Sequence, residues 1–219
     1  MQPRHSQAAE PVTISDPVEK AKLEAANAVE QTRQVQSLIA SAVVDGKPFK
    51  LRPSTIQSLQ RTAINGLSQF AGNWRPAGIE IGESKHEPPG AHLVAELVEE
   101  MCDYVNEHWG NVTPVHLAAY VIWRLNWIHP FTDGNGRTAR AVSYLVLSVA
   151  ANMFLPGTKT IPEQIVANRQ PYYDALEAAD DAAKADRIDV SALETLLSQM
   201  LAGQLLSVAE VASGNAIRT

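Results

Sequence analysis

The stretch His129-Pro130-Phe131-Thr132-Asp133-Gly134-Asn135-Gly136-Arg137-Thr138-Ala139-Arg140 places a histidine, a carboxylate, two glycines, an amide and two arginines within twelve residues. Together these groups are suited to handling a phosphate ester. Gly134 and Gly136 can take positive φ and let the backbone approach a ligand closely. Such a turn, running into a helix start, points several N–H groups at one place, and the helix dipole adds its positive end, so an anion hole is expected. Arg137 and Arg140, three apart, share a helix face and converge on the same anion, and guanidinium forks match phosphate oxygens. Asp133 is a hard oxygen ligand of the kind Mg²⁺ takes beside substrate phosphates. His129 is the side chain best suited to accept a proton near neutral pH. Any one of these features alone reads as a helix entry, a pinned loop or a solvated face. Their order and spacing together are far more specific than a lone Gly-rich loop.

Rigid elements must hold this stretch. Ala141 to Leu155 is apolar almost all round, which predicts a central buried helix behind the anion loop. Ahead of it, Thr113-Pro114 supplies an N-cap and a first-turn proline, and Val115, Ala118, Val121, Ile122, Leu125 and Ile128 keep helical period up to His129. Trp123 and Trp127, at i and i+4, read as packing residues, with stacking on a nucleotide base as the other use. Ala91 to His108 is strongly amphipathic. Residues Leu51 to Leu67 predict another helix, and Leu193 to Val208 a last one, capped by Asp189. Asp16-Pro17 opens an N-terminal helix that Asp45-Gly46 stops.

Between residues 70 and 90 the glycines and prolines break any helix, and the alternation in Ile79-Glu80-Ile81 predicts a short strand. His86 and His92 flank Pro88-Pro89; with no third ligand at a recognisable spacing they read as surface residues. Cys102, the only cysteine, lies on an apolar helix stripe and reads as a packing residue. A single cysteine permits no internal disulfide, and no signal segment follows Met1; both point to a cytoplasmic protein. The chain has 219 residues, 45% hydrophobic, with a net charge of −6 and no basic cluster outside the motif, which disfavours nucleic acid. No apolar run is long enough to predict a membrane span, and no internal repeat is found.

The motif resembles the signature of Fic domains, His-x-Phe-x-(Asp/Glu)-Gly-Asn-Gly-Arg-x-x-Arg, with every fixed position filled. The resemblance implies an all-α fold with a short β-hairpin flap near the active site. It also implies transfer of AMP from Mg-ATP to a Ser, Thr or Tyr hydroxyl of a target protein, the chain itself among the candidates. His129 would be the base and Phe131 the loop anchor, with Asp133 holding Mg²⁺. Gly134, Asn135 and Gly136 would line the α/β-phosphate cradle, Arg137 would grip the β/γ-phosphates, and Arg140 the γ-phosphate. Residues 72–94 resemble the flap, with Ile79, Glu80 and Ile81 as the edge that docks a target. Residues 168–176, with Asn168-Arg169 and Tyr172-Tyr173, resemble the segment that follows the signature; either tyrosine could border the adenine, with core packing the expected role of at least one.

Ala26-Asn27-Ala28-Val29-Glu30-Gln31 resembles a weakened form of the family's inhibitory motif, which implies that Glu30 pairs with Arg140 and blocks the γ-phosphate site. It departs from that motif at Ala26 and Gln31, and local pairing of Glu30 with Arg33 or Gln34 is the other reading. The expected organisation is a flexible start (1–15), an inhibitory helix (16–46), a Fic domain (47–210) and a flexible tail (211–219), with a homo-oligomer left open. Transfer of UMP, removal of AMP, and a non-catalytic nucleotide-binding regulator stand as alternatives.

Overall fold

The computed structural model describes residues 6–7, 13–82 and 84–212. Most of the expected flexible start, and the expected tail from 213 onward, lie outside the described residues. In chain order the elements are β1 (Ser6–Gln7), α1 (Pro17–Val43), α2 (Pro53–Ala63), β2 (Glu80–Ile81), α3 (Val94–Glu107, entered through a 3-10 turn), α4 (Pro114–Ile128), α5 (Asn135–Ala150), α6 (Ile161–Ala167), α7 (Gln170–Ala183) and α8 (Ser191–Ala212). The expected all-α class holds.

Helices α4 and α5 form the centre. The Thr113 hydroxyl accepts the His116 N–H at 3.0 Å and Pro114 opens α4, as the cap pattern predicts. Leu117, Val121, Ile122, Leu125 and Ile128 of α4, and Val142, Leu145, Val146 and Leu147 of α5, are almost wholly excluded from water. Each such side chain contributes roughly 1.5–3 kcal/mol on burial. The Ser143 hydroxyl donates to the Ala118 carbonyl at 2.9 Å and pins the two helices together.

Two boundaries differ from expectation. Helix α5 starts at Asn135, inside the motif, and ends at Ala150 rather than Leu155. The anion loop is therefore the first turn of the central helix. Helix α2 stops at Ala63, because Ile64 leaves helical geometry and Gly66 turns the chain with φ +73°.

Helix α1 is capped by Asp16, whose carboxylate accepts the N–H groups of Val18 at 2.8 Å and Glu19 at 3.3 Å. Its inner face carries Asn27, Gln31, Val35 and Ile39. Asn27 donates to the Asn65 carbonyl at 2.8 Å and Gln31 to the Leu59 carbonyl at 3.0 Å. A partly polar face thus docks α1 on the α2 region.

Strand β2 lies within the predicted flap, but its partner is not a second flap strand. It pairs antiparallel with β1, Ser6 opposite Ile81 and Gln7 opposite Glu80. The returning limb of the flap contains Pro88 and Pro89, which have no N–H to give a ladder. No helix among the described residues is long and apolar enough to cross a membrane.

Candidate active site

His129 ends α4 in a left-handed conformation, φ 50° and ψ 58°. A non-glycine residue there is strained and persists only where its surroundings over-determine it. Its side chain is 6% exposed. Nδ1 lies 3.2 Å from the Asn126 carbonyl, which selects the tautomer with the proton on Nδ1 and makes Nε2 the basic nitrogen. Burial pushes the imidazole down to about 4, against the Asn126 carbonyl, which favours protonation; the neighbouring His86 and Arg75 push it further down. At neutral pH His129 is therefore a neutral base.

Phe131 is fully buried, its ring 5.0 Å from that of Trp74 and tilted by 40°. The expected anchoring role fits this placement. Asn135 serves the same loop: its Oδ1 accepts the Phe131 N–H at 2.9 Å and its Nδ2 donates to the Phe131 carbonyl at 2.7 Å. That side chain is a brace, so what Asn135 offers an anion is the first turn of α5, whose N–H groups have no intrahelical acceptor. Gly134 has φ +79°, and a Cβ there would meet Ile64 Cγ2 at 2.9 Å; only glycine fits.

Asp133 accepts the Gly134 N–H at 2.5 Å on one oxygen and pairs with Arg137 at 3.2 Å through the other. Arg137 also donates to the Ala63 carbonyl at 3.4 Å. Arg140 is half-buried, and among the described residues no carboxylate lies within ion-pair distance of it. Burial lowers its pKa, and the nearby Arg169 and Arg137 act in the same direction. A desolvated guanidinium beside two others is an environment that favours an anion.

His129, Asp133, Gly134, Asn135, Gly136, Arg137 and Arg140 line one cavity of about 380 Å³ together with Lys20, Glu24, Ile81, His86, Trp127, Arg169, Tyr172, Tyr173 and Asp180. The volume is in the range of small-molecule sites. Glu30 is not among them. It is exposed and pairs with Arg33 at 3.3 Å, the local alternative. Glu24 faces the cavity instead. It sits three and seven residues before the inward Asn27 and Gln31, whereas Glu30 lies about 120° away around the helix. Of the flap residues, Ile81 lines the cavity, Ile79 is half-buried and Glu80 exposed.

His86 is not a surface residue. Its Nε2 is 2.7 Å from the Trp127 carbonyl, and its Nδ1 is 4.0 Å from Asp180. Asp180 accepts the Trp123 indole N–H at 2.9 Å, and burial raises its carboxyl above the usual range. Gln60 of α2, wholly buried, has no counterpart in the sequence reading: it donates to the Asp133 carbonyl at 3.0 Å and accepts the Gly72 N–H at 2.5 Å. A buried amide between two helical apolar positions, Ile56 and Ala63, is the one signal that could have marked it.

Residues 50–147 match the Fic/DOC family. The protein adenylyltransferase Fic of Drosophila persimilis is 36% identical over 128 residues, 58% of this chain and 23% of that protein. The protein of the same name from Drosophila willistoni is 35% identical over 128 residues and covered to 24%. The chain thus spans about a quarter of the length of these relatives. Among solved structures, a Fic domain-containing signaling protein from Bacteroides thetaiotaomicron superposes with a TM-score of 0.66 at 20% identity, over 88% of this chain and 74% of that one. Fic-1 of C. elegans, residues 134–508 with E274G, superposes at 0.65 with 19% identity, over 86% and 52%. At these identities the superpositions speak for the fold alone.

Proposed function

From the match of residues 50–147 to the Fic/DOC family, we propose that the chain belongs to that family and transfers AMP from ATP to a hydroxyl of a Ser, Thr or Tyr on a protein. The observation that carries this reading is a buried, neutral His129 beside the N-terminus of α5 in one cavity with Arg137 and Arg140. The name of the Drosophila relatives, protein adenylyltransferase, supports the choice of AMP.

The first turn of α5 and the Arg137 and Arg140 guanidiniums receive the phosphates. Nε2 of His129 takes the proton of the target hydroxyl. The oxygen bonds to the α-phosphorus, the bond from that phosphorus to the β-bridging oxygen breaks, and pyrophosphate leaves. Asp133 fits Mg²⁺, offering one carboxylate at the cavity, with phosphates and water as the remaining ligands. Mg²⁺ would there neutralise charge building on the leaving pyrophosphate. Arg137, paired with Asp133 in this structure, must exchange that partner for phosphate. The β2 edge is where an extended target segment docks. That it accepts an antiparallel strand, here β1, supports this use. Restraint by α1 we assign to Glu24 rather than Glu30. Glu24 lines the same cavity as Arg140 without pairing with it in this structure; swung onto that guanidinium, its carboxylate would compete with the γ-phosphate.

Labelling with α-³²P-ATP and γ-³²P-ATP in parallel tests this. Label from the α-phosphate only, raised by Glu24→Gly, unmoved by Glu30→Gly and abolished by His129→Ala, is the expected result. No label from either nucleotide in any variant, with a panel of cell proteins supplied as targets, overturns AMP transfer from ATP.

A further inference from the structure

Arg75 is a guanidinium only 3% exposed, near the start of the predicted flap. Among the described residues it has no carboxylate partner. All three of its side-chain nitrogens donate to main chain. Its Nε donates to the His129 carbonyl at 2.9 Å and its Nη1 to the Ala77 carbonyl at 2.9 Å. Its Nη2 donates to the Pro89 carbonyl and, at 3.5 Å, to that of Ile128. Its backbone N–H reaches the Pro130 carbonyl at 2.8 Å.

Three pieces of chain meet at this one group. Ile128 and His129 are the C-terminal end of α4, where the last carbonyls lack intrahelical donors and the dipole is negative. Ala77 and Pro89 are the two feet of the flap. A planar fork with five N–H groups can hold all of them at fixed angles; an ammonium cannot. Burying a cation without a counter-ion is costly. Burial indeed lowers the pKa of Arg75. An apolar side chain could fill the space without that cost, but it would leave the carbonyls of His129, Ala77 and Pro89 without donors.

We propose that Arg75 is a positioning residue for the transfer step: it holds His129 in its left-handed turn and ties both feet of the flap to the same point. Base and docking strand thereby keep one spacing. The proposal rests on His129 being the base and the flap the docking element. A second effect accompanies the first. The fixed positive charge disfavours a proton on the His129 imidazole, in the same direction as burial.

The test compares wild type with Arg75→Lys, which keeps the charge without the fork, and Arg75→Gln, which removes the charge. ATP affinity, transfer rate, thermal midpoint and the His129 titration by NMR are measured on each. The phosphate cradle does not touch Arg75, so ATP affinity should change by less than about threefold. The rate should fall by about 10²-fold in both variants, the loss expected when a reacting group is displaced by about 1 Å. The His129 titration should move up from about 4 in Arg75→Gln and stay in Arg75→Lys. Arg75→Lys, the milder change, keeps the test open where Arg75→Gln does not fold. ATP affinity and rate falling together with the thermal midpoint, with His129 unmoved, would show a merely structural role and overturn the proposal. So would an unchanged rate in Arg75→Lys. A wild type that shows no transfer overturns the AMP-transfer reading instead; the His129 titration and ATP affinity still decide between the two roles of Arg75.

Discussion

His129 combines two features that each cost free energy. Burial makes its protonation costly and the left-handed backbone makes its position costly; the two together leave a neutral imidazole at one place. Replacing it by Ala should lower transfer by about 10²–10⁴-fold while ATP still raises the thermal midpoint. The same residue predicts a stability profile. The folded imidazole is held at about 4 against an ordinary 6.5. Below 6.5 the unfolded chain takes up protons that the folded chain does not, so stability is fully present above that pH and falls as pH drops towards 4. Urea midpoints at pH 7.5 and pH 5 should converge in His129→Gln, which cannot titrate there. A wild-type midpoint equal at both pH values would count against the buried neutral state. Phe131→Ala, at a fully buried ring, should cost about 3–5 kcal/mol, read by denaturant unfolding.

Among elements, the N-terminus of α5 depends on one glycine and one amide contributed from elsewhere. Gly134→Ala must hold an L-residue at φ +79° with its Cβ against Ile64. We expect a loss of about 1–2 kcal/mol from the backbone alone, and loss of the ATP-induced thermal shift. A variant that keeps both its midpoint and its shift would contradict the cradle. The placement of the twelve-residue motif around one cavity was legible because its contacts run over spacings of one to four residues. Its braces were not: Gln60 acts on Asp133 across 73 positions and Arg75 on His129 across 54, and nothing local marks either. The glutamate on α1 was misplaced for a different reason. Its position came from the motif at residues 26–31, whereas the buried stripe of α1 runs through two amides, Asn27 and Gln31. Apolar periodicity cannot find a stripe that is partly polar. His86 looked like surface because its acceptor, the Trp127 carbonyl, carries no side-chain signature.

In the whole molecule, α4 and α5 are an apolar centre and α1 an outer helix partly docked through amides. Helix α1 should therefore open first. Hydrogen exchange should show its amides exchanging well before those of α5, and equal protection would argue against a detachable helix. The class of fold followed from helical periodicity and caps alone, since each helix carries its own boundary chemistry. The strand that completes the β2 pair did not, because the segment that supplies it lies more than seventy residues away. One residue of the core sets the redox character of the chain. Cys102 is 2% exposed on α3, and burial pushes its thiol up to about 12, with Asp103 and Glu99 adding to the effect. The thiolate that oxidants and alkylating reagents attack is thus almost absent at neutral pH. A thiol reagent should leave the native protein unmodified and label it once per chain on denaturation. Chemically the folded molecule behaves as if it had no cysteine, so a cysteine introduced at Ser84, beside the cavity, would be its single reactive thiol and could report the flap without background.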